Sequence, residues 1–354
     1  MKVHVVDPPA YTPPYDHALV AGLAACGVDA QLLTAPFRHG EPPPPANYAR
    51  REVFYRHGSS RAARLAQHVP DMLRYRRTAR EADVVHFQWL TIPEIDVHLL
   101  PRGRPLIFTA HDVLPRERVA GSHAAQRRLL ERFDAVIVHS QSGRERLIAE
   151  AGLEPDRIHV IPHGAFSHLA ELPQAPLPPE LPDTDLPVVL DFGLIRPYKG
   201  LDVLLEAWSG IEDAQLWVVG RPRFDIGKLR AAAGPSVHFV PRFVSDLELA
   251  ACFRRADLVV LPYRESEQSG VLATALAFAK PILATAVGGF PELAPAIQLV
   301  APNDAAALQA GITTLLADET ARLKLAAASG KLAHTKLSWE SVARATRALY
   351  EATY

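Results

Sequence analysis

Short runs of Val, Ile and Leu recur along this chain, each followed by a helix-length amphipathic stretch, and this alternation restricts the fold more than any other feature. The candidate strands of the first half are 3–7 (VHVVD), 29–35, 83–88 (DVVHFQ), 105–110 (PLIFTA), 135–139 (AVIVH) and 158–162 (IHVIP). Those of the second half are 188–193 (VVLDFG), 214–219 (AQLWVV), 237–240, 258–262 (LVVLP), 281–285 (PILAT) and 297–300. Strands that alternate with helices build parallel sheets covered on both faces, so two sheets of six strands are expected. Between the two sets, residues 173–187 (PQAPLPPELPDTDLP) hold six prolines in fifteen positions, where neither a helix nor an interior strand persists. A length of 354 residues suits two domains, an N-terminal one over 1–165 and a C-terminal one over 188–337, joined by a linker over 166–187. Two helical patterns close the chain at 318–333 and 338–352. The second carries an apolar face of Trp339, Val342, Leu349 and Tyr350.

Several classes are excluded by composition. The apolar stretches 214–220 and 256–263 fall far short of the roughly 20 residues of a membrane-spanning helix. Residues 1–6 run straight into Asp7-Pro8-Pro9 without the apolar core of a signal peptide, so a cytoplasmic location is the expectation. Cys26 and Cys252 are too few for a disulfide framework and lack metal-ligand spacing; both read as small buried hydrophobes. His159 and His163 have ligand-like spacing but no acidic or Cys partner nearby, so no metal is expected. Prolines 42–45 mark an exposed loop.

The net charge of −1 hides a local concentration: residues 50–80 carry nine Arg against only Glu52 and Asp71. This segment is either a solvated helix face or a dock for anionic lipid or a lipid-pyrophosphate acceptor on the inner face of the cell membrane. Pro70 interrupts it, which predicts against one long helix lying on a membrane. It lacks interleaved aromatic platforms, so nucleic acid is not the expected partner.

In parallel sheets ligands bind beyond the carboxyl ends of strands, where helix N-termini favour anions. The familiar phosphate, hydrolase and zinc-protease signatures are absent, which leaves polar residues at strand ends. In 191–208 (DFGLIRPYKGLDVLLEAW) a strand ends at Gly193, and Arg196 and Lys199 precede a helix beginning after Gly200. A guanidinium fork and a point charge at one turn suit a diphosphate; the plain alternative is a solvated loop with two surface cations. In 258–292 a strand ends at Pro262-Tyr263, and Glu265, Ser266, Glu267 and Gln268 lead into Ser269-Gly270 at a helix start. Ser269 can cap the helix, Gly270 admits a ligand to the free N–H groups, and the glutamates can accept sugar hydroxyls. The plain alternative is a capped helix with acids favourable to its dipole. In the first half His111 ends a strand and either faces a ligand or serves the structure. His86, His139 and His163 are assigned to packing and hydrogen bonding, and Trp89 to the core or to stacking on a sugar.

Together GLIRPYKGLDVLLEA, ADLVVLPY, QSGVLATALAFAKPILATAVGGFPEL, VIPHG and TAHD resemble the retaining glycosyltransferases of family 4, over nearly the whole chain, with the Q-S-G-V form of a subset of that family. The resemblance implies an α/β fold of GT-B architecture: two Rossmann-like parallel-sheet domains facing a cleft, with a terminal helix (338–354) that crosses back to the first domain, and closure about 164–187. It implies a GDP- or UDP-linked sugar held by the second domain, a glycan or lipid-linked acceptor held by the first, and hexose transfer with retention and no metal or other cofactor.

By the same resemblance Arg196 and Lys199 are the diphosphate pair, although Leu194 stands where the family's Arg more often follows the Gly. His111 contacts the donor sugar and phosphate. The backbone of Ser269, Gly270 and Val271 meets the β-phosphate, and the turn at Val244 meets the base. The family's glutamates are separated by seven residues. Glu265 or Glu267 can be the first, but Ala273 and Ala275 stand eight positions on, with Thr274 near the place of the missing second. The family's Gly-Gly turn after the first strand is replaced by residues 11–16 (YTPPYD), which puts Tyr15 and Asp16 on the acceptor side. The alternative is a divergent or non-catalytic GT-B protein: a phosphorylase, an epimerase or a pseudoenzyme that binds nucleotide sugars.

Overall fold

The computed structural model describes residues 1–37, 45–57, 60–112 and 122–354. The proline run at 42–45 lies outside them apart from Pro45. Strands in chain order are β1 (Lys2–Asp7), β2 (Asp29–Thr34), β3 (Ala49–Glu52), β4 (Val84–Phe87), β5 (Leu106–Thr109), β6 (Ala135–Val138), β7 (Ile158–Val160), β8 (Val188–Phe192), β9 (Gln215–Val219), β10 (Val237–Val240), β11 (Leu258–Leu261), β12 (Ile282–Thr285) and β13 (Gln298–Val300). Helices are α1 (Pro13–Ala25), α2 (Arg61–Thr78), α3 (Pro93–Leu99), α4 (Ser122–Leu130), α5 (Gln141–Arg146), α6 (Ser167–Ala170), α7 (Leu201–Ala207), α8 (Gly227–Ala232), α9 (Asp246–Arg255), α10 (Gly270–Ala277), α11 (Ala305–Ala317), α12 (Glu319–His334) and α13 (Trp339–Thr353).

The chain forms two compact units, Met1–Gly164 with Ser338–Tyr354, and Ala165–Leu337. The first holds a seven-stranded sheet in the order β3-β2-β1-β4-β5-β6-β7, and the second a six-stranded sheet in the order β10-β9-β8-β11-β12-β13. Every pairing is parallel. In each sheet the order of strands reverses at one place, between β1 and β4 and between β8 and β11, and the crevice at such a reversal is where doubly wound sheets bind ligands.

The strand absent from the sequence expectation is β3, whose residues Ala-Arg-Arg-Glu have no apolar alternation. Among the described residues it forms the edge of its sheet and pairs only with β2; an edge strand held by backbone bonds on one side needs no apolar face. Interior strands behave as their composition dictates, with β4, β5, β6, β11 and β12 buried at every residue.

Three further expectations change. The Pro70 interruption does not occur, because α2 runs unbroken from Arg61 to Thr78. Proline removes the donor that would meet the Ala66 carbonyl, and since Ala66 and Pro70 both lie on the solvent face, water can take its place. Residues 13–16 are the first turn of α1 rather than a loop, as prolines at the first helical positions favour. Cys252 is buried, which pushes its thiol up to about 12, whereas Cys26 is only half-buried at the end of α1. The proline-rich stretch has no helix or strand over 173–187, and its Leu177 and Leu181 pack into the core of the second unit.

In the first unit α13 packs on α1. Ser338 caps it by accepting from Ser341 N at 3.2 Å, and Val342, Ala343, Leu349 and Tyr350 are buried. The three aromatic residues of the Arg-rich segment, Phe54, Tyr55 and Tyr75, are buried as well.

Candidate active site

In the second unit the reversal of strand order brings the end of β8 beside the end of β11. After β8, Gly193 adopts φ +104° and the chain turns through Arg196 and the short Pro197–Lys199 helix to Gly200 at φ +72°. Gly200 allows no side chain: a Cβ there would sit 2.0 Å from the Pro262 carbonyl oxygen, so this turn lies directly on the segment that follows β11. Lys199 folds back over the turn. Its ammonium is 3.5 Å from the Phe192 carbonyl oxygen and 5.0 Å from the centre of the Tyr263 ring. A Cβ on Gly193 would meet Lys199 Nζ and Val271 Cγ2 at 2.8 Å each. Gly193, Lys199, Tyr263 and Val271, separate in sequence, therefore share one spot at the N-terminus of α10. Arg196 is exposed, with no hydrogen bond or ion pair to its guanidinium among the described residues.

Ser269 caps α10, accepting from Leu272 N at 3.3 Å, and lies 3.4 Å from the Tyr263 hydroxyl. Gly270 is the first helical residue; a Cβ there would touch only Phe166, at 3.5 Å. Unsatisfied N–H groups and the helix dipole make this end receptive to an anion. In the preceding loop Glu265 is exposed, while Glu267 and Gln268 are half-buried. The loop packs against the turn at Gly288, whose Cβ position would fall 3.1 Å from Glu267 Cα. Thr274 is buried and donates its hydroxyl to the Gly270 carbonyl at 2.8 Å, a bond made within its own helix. Val244 lies in the turn before α9, its side chain in the core and Ser245 beside it in a capping box with Glu248.

Two residues missed from the sequence complete this region. Arg264 holds the cationic turn in place by donating to the Pro197 carbonyl at 2.8 Å and to both Asp202 oxygens at 2.8 and 2.6 Å, while its N–H meets the Tyr198 carbonyl at 2.7 Å. Asp191, in β8, is 6% exposed, and its Oδ1 has no hydrogen-bond partner among the described residues. Burial pushes its carboxyl up to about 7, against the pull of the Lys199 charge. A lone acid inside the apolar run VVLDF was the available signal; nothing local marked Arg264 apart from other surface arginines.

In the first unit, Asp7 ends β1 and Asp16 stands in the first turn of α1, 0% and 1% exposed. Asp7 Oδ2 accepts from Tyr11 N at 2.7 Å, and Thr12 Oγ1 donates to Asp16 at 3.4 Å. Burial pushes Asp7 up to about 6 and, with the charge of Asp7 beside it, holds Asp16 well above the carboxylate range. Two buried carboxyls this close resist ionising together. Asp16 also lines a small cavity of about 20 Å³ with His17, Thr34, Tyr48 and Arg50, space for one water.

Tyr15 is 2% exposed and meets His111, His163 and Trp339 edge-on, at ring distances of 4.6, 5.0 and 5.0 Å. Both acceptor-side candidates thus point into the core. His111 is also buried, at 3% exposure, stacked on Trp89 at 5.2 Å and bonded through both nitrogens, to His139 at 3.2 Å and Gln88 at 3.0 Å. The neighbouring partners dictate the protons. His139 Nδ1 donates to the Ile161 carbonyl at 3.0 Å, so its Nε2 accepts and His111 Nδ1 donates. Neutral His111 then accepts through Nε2, which assigns the amide nitrogen of Gln88 to it and the amide oxygen to His86 Nε2. His86 Nδ1 receives the Tyr350 hydroxyl from α13 at 2.6 Å. Burial keeps all of these rings neutral, pulling His86 and His163 down to about 3, His139 to about 4, and His111 well below the ordinary histidine value. Among the described residues no group of three or more His, Cys, Asp or Glu side chains is arranged to hold a metal ion.

Two Rossmann-like units, one with an anion-receptive helix start beneath a lysine, define the GT-B class. Comparison with known families agrees: residues 15–165 match Glycosyltransferase Family 4 and residues 187–318 match Glycosyl transferases group 1. Both matches are to glycosyltransferase families, and together they span most of the chain.

Among curated proteins it is 30% identical over 190 residues to the GDP-mannose:glycolipid 4-beta-D-mannosyltransferase of Xanthomonas campestris pv. campestris, an alignment covering 51% of this chain and about half, 50%, of that protein. It is 28% identical over 308 residues to the D-inositol 3-phosphate glycosyltransferase of Xylanimonas cellulosilytica, covering 76% of this chain and 71% of that one. Among solved structures, the Anabaena protein HepE in complex with UDP and glucose superposes with TM-score 0.77 at 20% identity, over 99% of this chain and 100% of that one. Sucrose-phosphate synthase from Thermosynechococcus elongatus superposes with TM-score 0.76 at 20% identity, over 99% and 98%.

Proposed function

We propose that this chain transfers a hexose from a GDP- or UDP-linked sugar to a glycan or lipid-linked acceptor, with retention at the anomeric carbon and without a metal. The observation that carries this reading is the Lys199 ammonium held over Gly193 at the start of α10. There a cation, a close backbone approach and a helix N-terminus converge on a volume suited to a diphosphate. The names of the relatives support the donor class: one is a GDP-mannose enzyme, and a matching structure holds UDP with glucose. The glycolipid in the first relative's name supports a lipid-linked acceptor.

The bond from the anomeric carbon to the diphosphate oxygen breaks with its electron pair going to the diphosphate. The acceptor oxygen bonds to that carbon on the same face, and its proton passes to the departing phosphate oxygen. Charge that accumulates on the diphosphate is stabilised by Lys199, by Arg196 and by the N–H groups of Ser269, Gly270 and Val271. Ribose recognition falls to the loop of Glu265, Glu267 and Gln268, and the base to the turn at Val244.

The test is calorimetry and thermal shift with GDP, UDP, ADP and dTDP on wild type and Lys199→Ala, followed by transfer assays with the matching sugar nucleotides in the presence of a chelator. Selective binding by one diphosphate, lost in the variant, and an α-configured product from an α-configured donor are expected. A β-configured product would overturn retention, and a requirement for added metal would overturn metal independence. Binding without turnover on any glycan or lipid-linked acceptor would leave a nucleotide-sugar-binding protein. No binding would refute the donor site.

A further inference from the structure

We propose that the outer face of α2 is a docking surface for an anionic lipid membrane. Its inner face is fixed firmly to the first unit. His68, Asp71, Met72 and Tyr75 are buried, His68 bridges Asp96 and the Tyr55 hydroxyl at 2.6 Å each, and Asp71 accepts from Tyr55 N at 2.7 Å. The outer face is apolar where a solvated helix would be polar. Leu65, Val69 and Leu73 are 58%, 37% and 46% exposed, and Ala66 and Pro70 lie between them, also exposed. The spacing of four places the three large side chains in one stripe about 12 Å long. Isolated exposed leucines need no explanation, but a contiguous stripe on a rigid helix marks an interaction site.

Charge identifies the occupant. Arg74 and Arg77 continue the exposed face of α2, and Arg80 follows just beyond its end. Arg74 is paired with buried Asp71 at 2.6 Å, but Arg77 and Arg80 have no ion pair or hydrogen bond to their guanidinium groups among the described residues. The sole acid of α2 is that buried Asp71, so a second copy docking through this face would bring no carboxylate from α2 to these cations. An apolar stripe bordered by arginines is the pattern of a helix lying at a lipid interface, with side chains in the acyl boundary and cations at anionic headgroups. The Pro70 position fits, because a proline on the outer face leaves the Ala66 carbonyl turned outward to water or headgroups. This surface lies within the first unit and stands independently of the transferase reading.

Flotation of the full chain with vesicles of phosphatidylcholine, with and without phosphatidylglycerol, tests it. The wild type is expected to float with the phosphatidylglycerol vesicles and to detach as salt rises. Arg77→Gln with Arg80→Gln should weaken binding by about thirtyfold, at roughly one kcal/mol per cation near the surface. Leu65→Ser, Val69→Ser and Leu73→Ser together should abolish it while the far-ultraviolet circular dichroism and melting temperature stay at wild-type values, as expected for exposed positions. Wild type that stays unbound at low salt, or a triple variant that floats as wild type does, overturns the proposal. So does concentration-dependent dimerisation without vesicles that the triple variant removes, which would assign the face to a second copy. Nucleotide binding in solution, measured on the same samples, is expected to be equal in all three proteins, so failure here and failure of the donor site are separate results.

Discussion

Asp191→Asn tests the electrostatics beneath the candidate diphosphate site. A carboxyl at about 7 in the folded chain and at its ordinary 3.8 when unfolded binds more proton in the folded state across that interval. Stability from this group is therefore complete below pH 4, is lost as pH rises toward 7, and is level above it. The loss is on the order of 4 kcal/mol, from three pH units at 1.36 kcal/mol each. Four histidines, two buried and two half-buried, act in the opposite sense. His4, His86, His139 and His163, pulled down to about 3 or 4, contribute stability above pH 6.5 that disappears as pH falls toward 4. Their effect is common to both proteins and cancels in the comparison. Urea unfolding of wild type and Asp191→Asn from pH 4.5 to pH 8 should show the variant gaining on wild type by about 3 kcal/mol up to pH 7, the rest of the change lying below pH 4.5, and levelling off beyond pH 7. Diphosphate binding should weaken in wild type above pH 7, as a negative charge develops near Lys199, and stay level in the variant. Parallel stability curves for the two proteins would refute the burial argument, and a shared pH dependence of binding would separate Asp191 from the site.

Other residues carry sharper mechanical expectations. Gly200→Ala forces a Cβ against the Pro262 carbonyl and holds Ala in a left-handed conformation that alone costs about 1–2 kcal/mol; the melting temperature should fall and diphosphate affinity with it, and an unchanged affinity would detach this turn from the site. Arg264→Gln should loosen the cationic turn, raising the dissociation constant for diphosphate while unfolding free energy changes by about 1 kcal/mol or less, as for other exposed ion pairs. Tyr350→Phe leaves the buried His86 Nδ1 without its donor and should destabilise the chain by about 1–3 kcal/mol in urea, with diphosphate binding intact; a change below experimental error would mean that the α13 contact to β4 is carried by packing alone.

Much of the architecture was legible in sequence because interior parallel strands are buried on both faces and so must read as unbroken apolar runs. All twelve expected strands are present. The missed one, β3, is an edge strand whose side chains are free to be Arg and Glu. Ser269 was readable as a cap and Gly200 as a helix boundary, since both act on backbone within a few residues. Tyr15 and Asp16 were readable as unusual after β1, but not as buried, because whether a helix's first turn faces inward depends on what packs over it, here Trp339 from the far end of the chain.

What the amino-acid order determined alone is therefore local: strand and helix identity, the proline-rich connection, and the kinds of chemistry available at strand ends. Only the tertiary structure decided which of those groups meet. Strand order places the turn after β8 against the segment after β11, so Lys199, Tyr263 and Val271 come together across about seventy residues. The same packing buries Asp191, His86 and His111, and leaves the apolar stripe of α2 in solvent. Burial and proximity arise from contacts remote in sequence, and it is they that set charge state, access and the surfaces open to a partner.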